Sequence, residues 1–268
     1  MSINQQKDTS QNYNLIQELP ADQSLGVLEP VMYYNGAMPT GVTVSQQGRI
    51  FVNFPKWGDN VQFTVAEIKN GKMVAYPDEV LIKLTLMTMV RHWSRCNPIV
   101  EGRPFLEHLP NGSIKQGASM GADGIAISSD GSRLYYCPLG SRKLYSVDTD
   151  SLVDRSLNER KVADTVVDGD RGGASDGLES DATGYIYSTN YEHNSIMRRH
   201  PNNREWETVV HDPRLLWPDT LSVAADGYLY VTANQLHRQA RYQKGHDLRR
   251  KPYTLFRVHI NTTPVLLK

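Results

Sequence analysis

The segment DGLESDATGYIYS, residues 176–188, is one of four copies of a turn motif that recurs along the chain. In each copy a short alternating strand leads into a turn that has a glycine eight residues after the lead residue. A second strand, rich in Ile, Leu and Tyr, follows this turn, and the pattern indicates a β-hairpin. The other copies are TGVTVSQQGRIFV from Thr40, DGIAISSDGSRLYY from Asp123 and DTLSVAADGYLYV from Asp219. The turn glycines are Gly48, Gly131, Gly184 and Gly227.

The spacing of the copies selects a fold class. The last three lead residues follow one another at intervals of 53 and 43 residues. A period of about 40–50 residues built from β-hairpins predicts an all-β fold, a β-propeller with one four-stranded blade per repeat. The alternative is a β-sandwich that uses one turn type several times.

The composition fits one large all-β domain and excludes several classes of protein. The 268 residues include 29 Lys plus Arg and 29 Asp plus Glu, so the net charge is zero. We therefore expect no nucleic-acid partner, and we interpret the basic stretch RYQKGHDLRRK, residues 241–251, as a solvated loop. The longest apolar stretch, Val80–Val90, contains Lys83 and is shorter than the roughly 20 residues that a membrane helix needs.

The chain divides into a polar tail and one domain. Residues 1–24 are rich in Gln and Asn, which predicts a flexible tail, and they lack the apolar stretch of a signal peptide. Residues 25–268 are predicted to form a single propeller domain whose first blade spans residues 25–78. An atypical junction at about residues 79–100, which begins EVLIKLTLMTMVRHWSRCNP, has neither the Asp-Gly lead nor a turn glycine.

The two cysteines give little functional signal. Cys96 and Cys137 are too few for a disulfide scaffold, and they lack the spacing of metal ligands. Cys137 lies in a strand-like run and is interpreted as a small buried hydrophobic residue. A single bridge between the two remains open.

Three of the four copies begin with an aspartate. The innermost strands of a propeller line its central channel, so we expect Asp123, Asp176 and Asp219 to converge at one end of that channel. Converging carboxylates either bind a cation or raise one another's pKa. We assign catalysis to Asp123 and Asp176 and ligand binding to Asp219, and all three are candidate ligands of a divalent metal. The alternative is an Asx turn, in which each carboxylate accepts hydrogen bonds from its own turn.

Two loops place further polar side chains where strands end. The loop TNYEHNSI offers Asn190 and His193, and the loop TANQLHRQ offers Asn234 and His237. Amides could hold a ligand amine or hydroxyl, and imidazoles serve as acid or base near neutral pH. We assign His193 to catalysis and the other three to ligand binding. Strand-end capping for the amides and plain surface positions for the imidazoles are the alternatives.

Two further residues are candidates for ligand binding. Trp217, in LLWPDT, is assigned to stacking on an aromatic ligand, with packing between blades as the alternative. Glu101, in VEGRP, is assigned as a channel carboxylate, with an ion pair to Arg103 as the alternative. The sequence has no Ser-His-Asp elbow motif, glycine-rich phosphate loop, HExxH motif or CxxC motif.

Several of these segments resemble one known family. The chain is similar to the bacterial branch of the major royal jelly protein/Yellow family, which is related to L-dopachrome tautomerase, over about four-fifths of its length. The segments that carry the resemblance are RIFVNFPKW, VEGRPF, GADGIAISSDGSRLYYCPLGSRKLYSV, GGASDGLESDATGYIYSTNYEHNSI, DPRLLWPDTLSVAADGYLYVTANQLHRQ and PYTLFRV. The resemblance implies a six-bladed propeller. Its insect relatives include dopachrome-converting enzymes, pigmentation factors, royal jelly proteins and salivary amine binders.

The chain departs from the family at the junction. In the family, further blades separate the segment after Tyr76 and Pro77 from the VEGRP segment, whereas about twenty atypical residues join them here. The resemblance therefore implies an internal deletion, and we expect about four blades in an incomplete or strained ring. An open ring exposes sheet edges, which predicts low stability and self-association through such an edge. The family is often secreted, but this chain shows no signal peptide, which leaves its localisation open.

Three functions are compatible with these observations. The favoured one is a Yellow-type channel site that binds or isomerises a small aromatic amine or aminochrome-like ligand, because such proton transfer needs only an acid–base pair in a shaped pocket. The second is a metal-dependent sugar lactonase, by analogy with other six-bladed propellers that hold a divalent ion on channel carboxylates. The third is a non-catalytic remnant of the family. The cofactor is unknown, with a divalent cation as the candidate.

Overall fold

The computed structural model describes residues 24–76, 96–116, 121–169 and 173–267. The described residues form four antiparallel four-stranded sheets and two short hairpins, with only two short α-helices and two 3₁₀ turns. The four sheets are the blades of a propeller, which confirms the fold class predicted from the repeat.

The strands follow the repeat along the chain. Strand β1 (Leu28–Tyr34) comes first and belongs to the last blade. Blade one contains β2 (Val42–Val44), β3 (Ile50–Asn53), β4 (Val65–Lys69) and β5 (Lys72–Ala75). Two hairpins come next, formed by β6 (Ile99–Val100), β7 (Arg103–Pro104), β8 (Leu106–His108) and β9 (Ile114–Gln116).

The other three blades fill the second part of the chain. Blade two contains β10 (Ala122–Ile127), β11 (Arg133–Pro138), β12 (Tyr145–Asp148) and β13 (Val167–Asp168), with α1 (Thr149–Val153) and α2 (Glu159–Ala163) before β13. Blade three contains β14 (Leu178–Ser180), β15 (Ile186–Asn190), β16 (Ser195–Arg199) and β17 (Trp206–His211). Blade four contains β18 (Pro218–Val223), β19 (Tyr228–Ala233), β20 (Tyr253–His259) and β1. The 3₁₀ turns, Leu236–Arg238 and Ala240–Tyr242, lie between β19 and β20.

Each repeat copy forms the inner hairpin of one blade. The four turn glycines have φ values of 75°, 75°, 92° and 83°, in the left-handed region that side chains disfavour. A second aspartate in three copies accepts a backbone N–H within its own turn. These bonds run from Ser132 to Asp130, from Thr183 and Tyr185 to Asp181, and from Tyr228 to Asp226. The Asx-turn role therefore falls to this second aspartate of the copy.

The glycine that follows the lead aspartate lets neighbouring blades approach each other at the axis. A Cβ atom on Gly177 would lie 2.1 Å from the carbonyl oxygen of Asp219 in blade four. A Cβ atom on Gly124 would lie 2.8 Å from the carbonyl oxygen of Asp176 in blade three. The aspartate of the pair thus supplies a polar group near the axis, and the glycine, which has no side chain, allows the backbones of two blades to pack closely there.

Blade four is assembled from both ends of the chain. Strand β1 pairs antiparallel with β20, with Glu29 opposite Arg257 and an irregular register between Pro30 and Met32. Glu29 Oε2 also accepts a hydrogen bond of 3.0 Å from Arg257 Nε. The prediction that the first blade begins at residue 25 is therefore wrong, because β1 completes blade four. Blade one begins with β2.

The innermost strands place the blades in order around the axis. Strand β10 contacts β14, β14 contacts β18, and β18 contacts β2. Residues 77–95, which include most of the predicted irregular junction, lie outside the described residues. Residues 1–23 of the predicted tail also lie outside them. The open ring and its consequences therefore remain predictions.

The hydrophobic core lies between the blades and beneath the loops at one end of the axis. The largest cluster of buried residues combines strands of blades one and four with Tyr191, Trp217 and Phe105. Cys137 is buried, and the two cysteines are not joined by a disulfide. Among the helices that the structure describes, none is long and apolar enough to cross a membrane.

Candidate functional site

Three aspartates from three different blades lie together where the innermost strands begin. The carboxyls of Asp123 and Asp176 form a hydrogen bond, and the charge of Asp219 acts on Asp176. Asp176 and Asp219 are only 7% and 8% exposed, whereas Asp123 keeps contact with solvent although protein surrounds most of its carboxyl. Two members of the cluster, Asp176 and Asp219, are therefore buried, and the third, Asp123, reaches solvent.

Burial raises the pKa of all three carboxyls, and repulsion between charges adds to it at Asp176 and Asp219. Burial is the main cause for each, and the charge of Asp123 adds to it in raising the pKa of Asp219 to about 8. The pKa of Asp176 is raised well above its usual range by burial and by the negative charges of its two neighbours. The cluster therefore holds protons at neutral pH.

The hydrogen bond between Asp123 and Asp176 has a direction. It raises the pKa of Asp176 and lowers that of Asp123, against the effect of burial on Asp123. Asp176 is the more deeply buried of the two carboxyls and Asp123 reaches solvent, so burial favours the proton on Asp176. Such a pair places an acid and a base side by side.

Asp219 is held by side chains at the start of β18. Asn234 Nδ2 donates a hydrogen bond of 2.5 Å to Asp219 Oδ2, and the hydroxyl of Thr220 donates one of 3.0 Å to Oδ1. Asn234 is fixed in turn because its Oδ1 accepts the backbone N–H of Leu236 at 3.0 Å. The Asn234 amide thus lies beside a lead aspartate, Asp219. The Asx-turn alternative does not describe Asp219.

Asn190 does not occupy the equivalent place in blade three. Thr189 and Thr232 stand at equal distances after their lead aspartates, and the Thr189 hydroxyl accepts the backbone N–H of Asp176 at 3.1 Å. Asn190 is therefore one residue short of the position of Asn234, and successive side chains of a strand point to opposite faces. Its Nδ2 lies 3.5 Å from the Met197 sulfur. Asn190 and Asn234 are therefore not equivalent, contrary to the expectation from the two strand ends.

Trp217 packs inside the protein and leaves no ring face for a ligand. Its indole is fully buried, with Tyr191 stacked on it at 4.2 Å and 11° and His237 at 5.6 Å and 19°. Phe105 meets the same ring at 4.7 Å. Trp217 Nε1 donates a hydrogen bond of 2.5 Å to Asp176 Oδ2. The expected stacking on a ligand is therefore replaced by packing and by a contact with the carboxyl cluster.

Glu101 and His237 form a second group behind the indole. Glu101 pairs with the guanidinium of Arg238, and His237 Nε2 lies 3.2 Å from Glu101 Oε2. The alternative prediction, an ion pair between Glu101 and Arg103, is therefore wrong. Burial lowers the pKa of His237 to about 4, and neither ring nitrogen has a well-aligned hydrogen-bond partner among the described residues. His237 is neutral at physiological pH, and it contacts Trp217 rather than the aspartates.

His193 lies apart from the aspartates, in the turn between β15 and β16. It is exposed and, with Asn190 and His211, lines an open cavity of about 540 Å³. The lining of this cavity contains none of the three aspartates. The structure therefore does not bring His193 together with its predicted catalytic partners.

Sequence reasoning missed two residues near the channel. Tyr191 stands at the same distance from Asp176 as Asn234 does from Asp219, and its hydroxyl donates to the carbonyl of Leu139. Glu179 lies on the inner strand β14, where burial raises its pKa to about 7. The sequence contains a signal for each residue. Tyr191 has the same spacing from its lead aspartate as Asn234, and Glu179 is a single acidic residue within an inner strand.

A metal role for the aspartates gains no support from the geometry. Across residues 24–76, 96–116, 121–169 and 173–267, no group of three or more His, Cys, Asp or Glu side chains could hold a metal ion. The bonds of Asp176 and Asp219 instead come from an indole, an amide and a hydroxyl. These donors suit carboxyls that share protons.

The buried cluster makes the stability of the fold depend on pH. The pKa of Asp219 is about 8 in the folded protein against 3.8 as the ordinary value, so the folded state binds the proton more tightly. Its contribution is complete below the ordinary pKa and is lost as pH rises to about 8. We expect the free energy of unfolding to fall by about 1 kcal/mol per pH unit between about pH 5 and pH 8.

Urea unfolding across this pH range measures the effect. Asp219→Asn should flatten the slope, because an amide does not titrate. A free energy of unfolding that stays constant or increases from pH 5 to pH 8 in the unmodified protein would contradict the expectation.

Radial four-stranded blades, with buried carboxyls where the inner strands begin, define a β-propeller with a candidate site on its axis. The sequence profile of the major royal jelly protein family matches residues 87–262, well over half of the chain. The chain therefore belongs to the major royal jelly protein family, which confirms the resemblance seen in its motifs. A search of curated protein sequences gave no match.

Solved structures with a similar fold are distant in sequence. A luciferin-regenerating enzyme is 12% identical, with a TM-score of 0.48, over 91% of this chain and 99% of that chain. A gluconolactonase from Xanthomonas campestris is 15% identical, with a TM-score of 0.33, over 85% of this chain and 60% of that chain. The calcium-binding protein regucalcin from Agrobacterium tumefaciens is 13% identical, with a TM-score of 0.37, over 89% of this chain and 77% of that chain. Similarity at this level says nothing about activity.

Proposed function

We propose that the protein binds a small aromatic amine or aminochrome-like ligand at the three-aspartate cluster and tautomerises it by proton transfer. One observation carries the proposal: carboxyls from three blades meet in a buried cluster that opens to solvent at Asp123. The Asp123 carboxylate, at the open side of the cluster, would favour a ligand that carries positive charge. An amine or an iminium fits this requirement.

The carboxyls could serve both halves of a tautomerisation. The carboxylate of Asp123 is the base that would take a proton from a carbon of the ligand. The protonated carboxyl of Asp176 is the acid that would return a proton at another position of the same conjugated system. The ligand loses and gains one proton, so the reaction needs no oxidant or reductant. General acid–base catalysis of this kind contributes about 10²–10⁴ in rate.

A metal-dependent lactonase is the second candidate, as the analogy with other propellers suggests. It ranks lower because the described residues offer no group of three acidic, His or Cys side chains arranged for a metal. A lactonase of that type loses activity when its divalent ion is removed. This dependence separates the two functions.

The test is a set of assays on the unmodified protein with and without a chelator. We expect dopamine to bind in calorimetry and L-dopachrome to decolourise faster with the protein than without it, in both cases unaffected by EDTA. Hydrolysis of gluconolactone that stops with EDTA and returns with a divalent ion would establish the lactonase instead. If neither amine binding nor dopachrome conversion is found, the proposal is wrong.

A further inference from the structure

We propose that Trp217 is a positioning residue that fixes which oxygen of Asp176 carries the proton. Its role in a reaction rests on the proposed function, but the position of the proton does not. Three independent features carry the inference: the indole hydrogen bond, the clamp around the ring, and the backbone conformation that aims it.

The indole hydrogen bond occupies one oxygen of the carboxyl. Trp217 Nε1 lies 2.5 Å from Asp176 Oδ2, and both residues are buried. An indole nitrogen only donates, so Oδ2 must accept. The carbonyl oxygen of a protonated carboxyl is a better acceptor than its hydroxyl oxygen, so the indole favours the proton on the other oxygen, Oδ1. The same carboxyl is hydrogen-bonded to Asp123, the member of the cluster that reaches solvent.

The ring is clamped so that this donor cannot turn away. Tyr191 covers one face of the indole in a nearly parallel stack, and His237 lies nearly parallel to it at 5.6 Å. Phe105 lies against the ring at 4.7 Å and contacts Tyr242 at 4.4 Å. A donor held in this way loses little freedom when it binds the carboxyl, which is the condition for a preorganised site.

The backbone at Trp217 is shaped to bring the ring to the axis. Its φ is 58°, which is rare for a bulky residue and is disfavoured further because Pro218 follows. Residues held in such conformations concentrate at functional sites, where the surrounding structure maintains them. The corresponding residue, two before the lead position, is Gly121 in blade two and Ala174 in blade three. Ala174 packs in the same core cluster as Trp217.

The other groups around Asp176 cannot replace the indole. Asp123 and Asp219 raise its pKa through their charge, whereas the Trp217 hydrogen bond lowers it. The remaining titratable groups that sense Asp176 are neutral at physiological pH because burial raises the pKa of each. They are Cys137, Tyr191 and Tyr242. The indole is therefore the neutral donor that counteracts the repulsion between the carboxyls.

The test compares two variants that each remove one buried donor from the stacked pair. Trp217→Phe keeps a ring but removes the N–H from Asp176, whereas Tyr191→Phe removes the hydroxyl bonded to Leu139 and leaves Asp176 untouched. Carboxyl ¹³C NMR of Asp-labelled protein follows the titration of the cluster. We expect Trp217→Phe to raise the pKa of the cluster by about one to two pH units, and Tyr191→Phe to leave it unchanged.

A measurement on the unmodified protein keeps the inference testable if Trp217→Phe does not fold. The indole ¹H–¹⁵N resonance of Trp217 should resist hydrogen exchange and change with pH together with the carboxyl signals. An indole signal that exchanges quickly or ignores pH would overturn the inference, as would equal effects of the two phenylalanine variants. Both readouts are independent of turnover. A protein that shows the NMR signature without converting dopachrome would refute the proposed function and retain the role of Trp217.

Discussion

Asp176→Asn is expected to lower the rate of dopachrome conversion by about 10²–10⁴, because the amide cannot release the proton that the acid supplies. The substitution preserves shape. An Asn at this position can still accept the Trp217 N–H and donate to Asp123, so the blades should remain in place. Steady-state kinetics and far-UV circular dichroism measure activity and fold on the same sample. Loss of kcat with little change in KM is the expected pattern.

Asp130→Asn is the matched control for this substitution. Asp130 lies in the hairpin turn of blade two, where it accepts the backbone N–H of Ser132 at 3.0 Å. It belongs to the same repeat but not to the cluster, so its activity should stay near that of the unmodified protein. Equal losses in both variants, or full activity of Asp176→Asn, would remove Asp176 from the mechanism.

Gly177→Ala is expected to destabilise the fold by at least about 2 kcal/mol, because no flexible group can move aside for the added methyl. Its Cβ would lie 2.1 Å from the carbonyl oxygen of Asp219 and 3.1 Å from the Cα of Thr220, both of which are backbone atoms of the next blade. The two blades would have to separate at the axis. Urea unfolding followed by tryptophan fluorescence measures the change in the free energy of unfolding.

Gly36→Ala provides the comparison. A Cβ atom at Gly36 would have no neighbour within 4 Å, and the residue does not require a positive φ. We expect a change within about 0.5 kcal/mol there. If Gly177→Ala is as stable as Gly36→Ala, then the blades do not meet at the axis as described.

The repeat predicted what depends on local periodicity. Four hairpins, their turn glycines and the convergence of the lead aspartates all follow from a motif that each blade repeats in the same register. The aspartates could be placed because equivalent positions in a propeller converge on one axis. The major royal jelly protein family is recognisable partly for the same reason, since several of its motifs contain the repeat copies.

The errors have physical causes that a single sequence hides. Residue type alone makes Asn190 and Asn234 look equivalent, whereas a shift of one residue in a strand turns a side chain to the opposite face. The sequence favours stacking of Trp217 on a ligand because nothing local reveals that Tyr191 and His237 lie against its ring. The assignment of residues 25–34 to blade one failed because the partner strand β20 is remote in the chain.

The pairing of β1 with β20 means that blade four is completed by two strands that are synthesised far apart in time. Glu29 and Arg257, which face each other across the two strands, are 228 residues apart. During synthesis β1 leaves the ribosome well before β20 and has no partner strand until β20 follows. Contacts between such remote residues also slow folding, because a large loop must close first. The nascent protein therefore carries β1 without its partner strand until β20 has been synthesised.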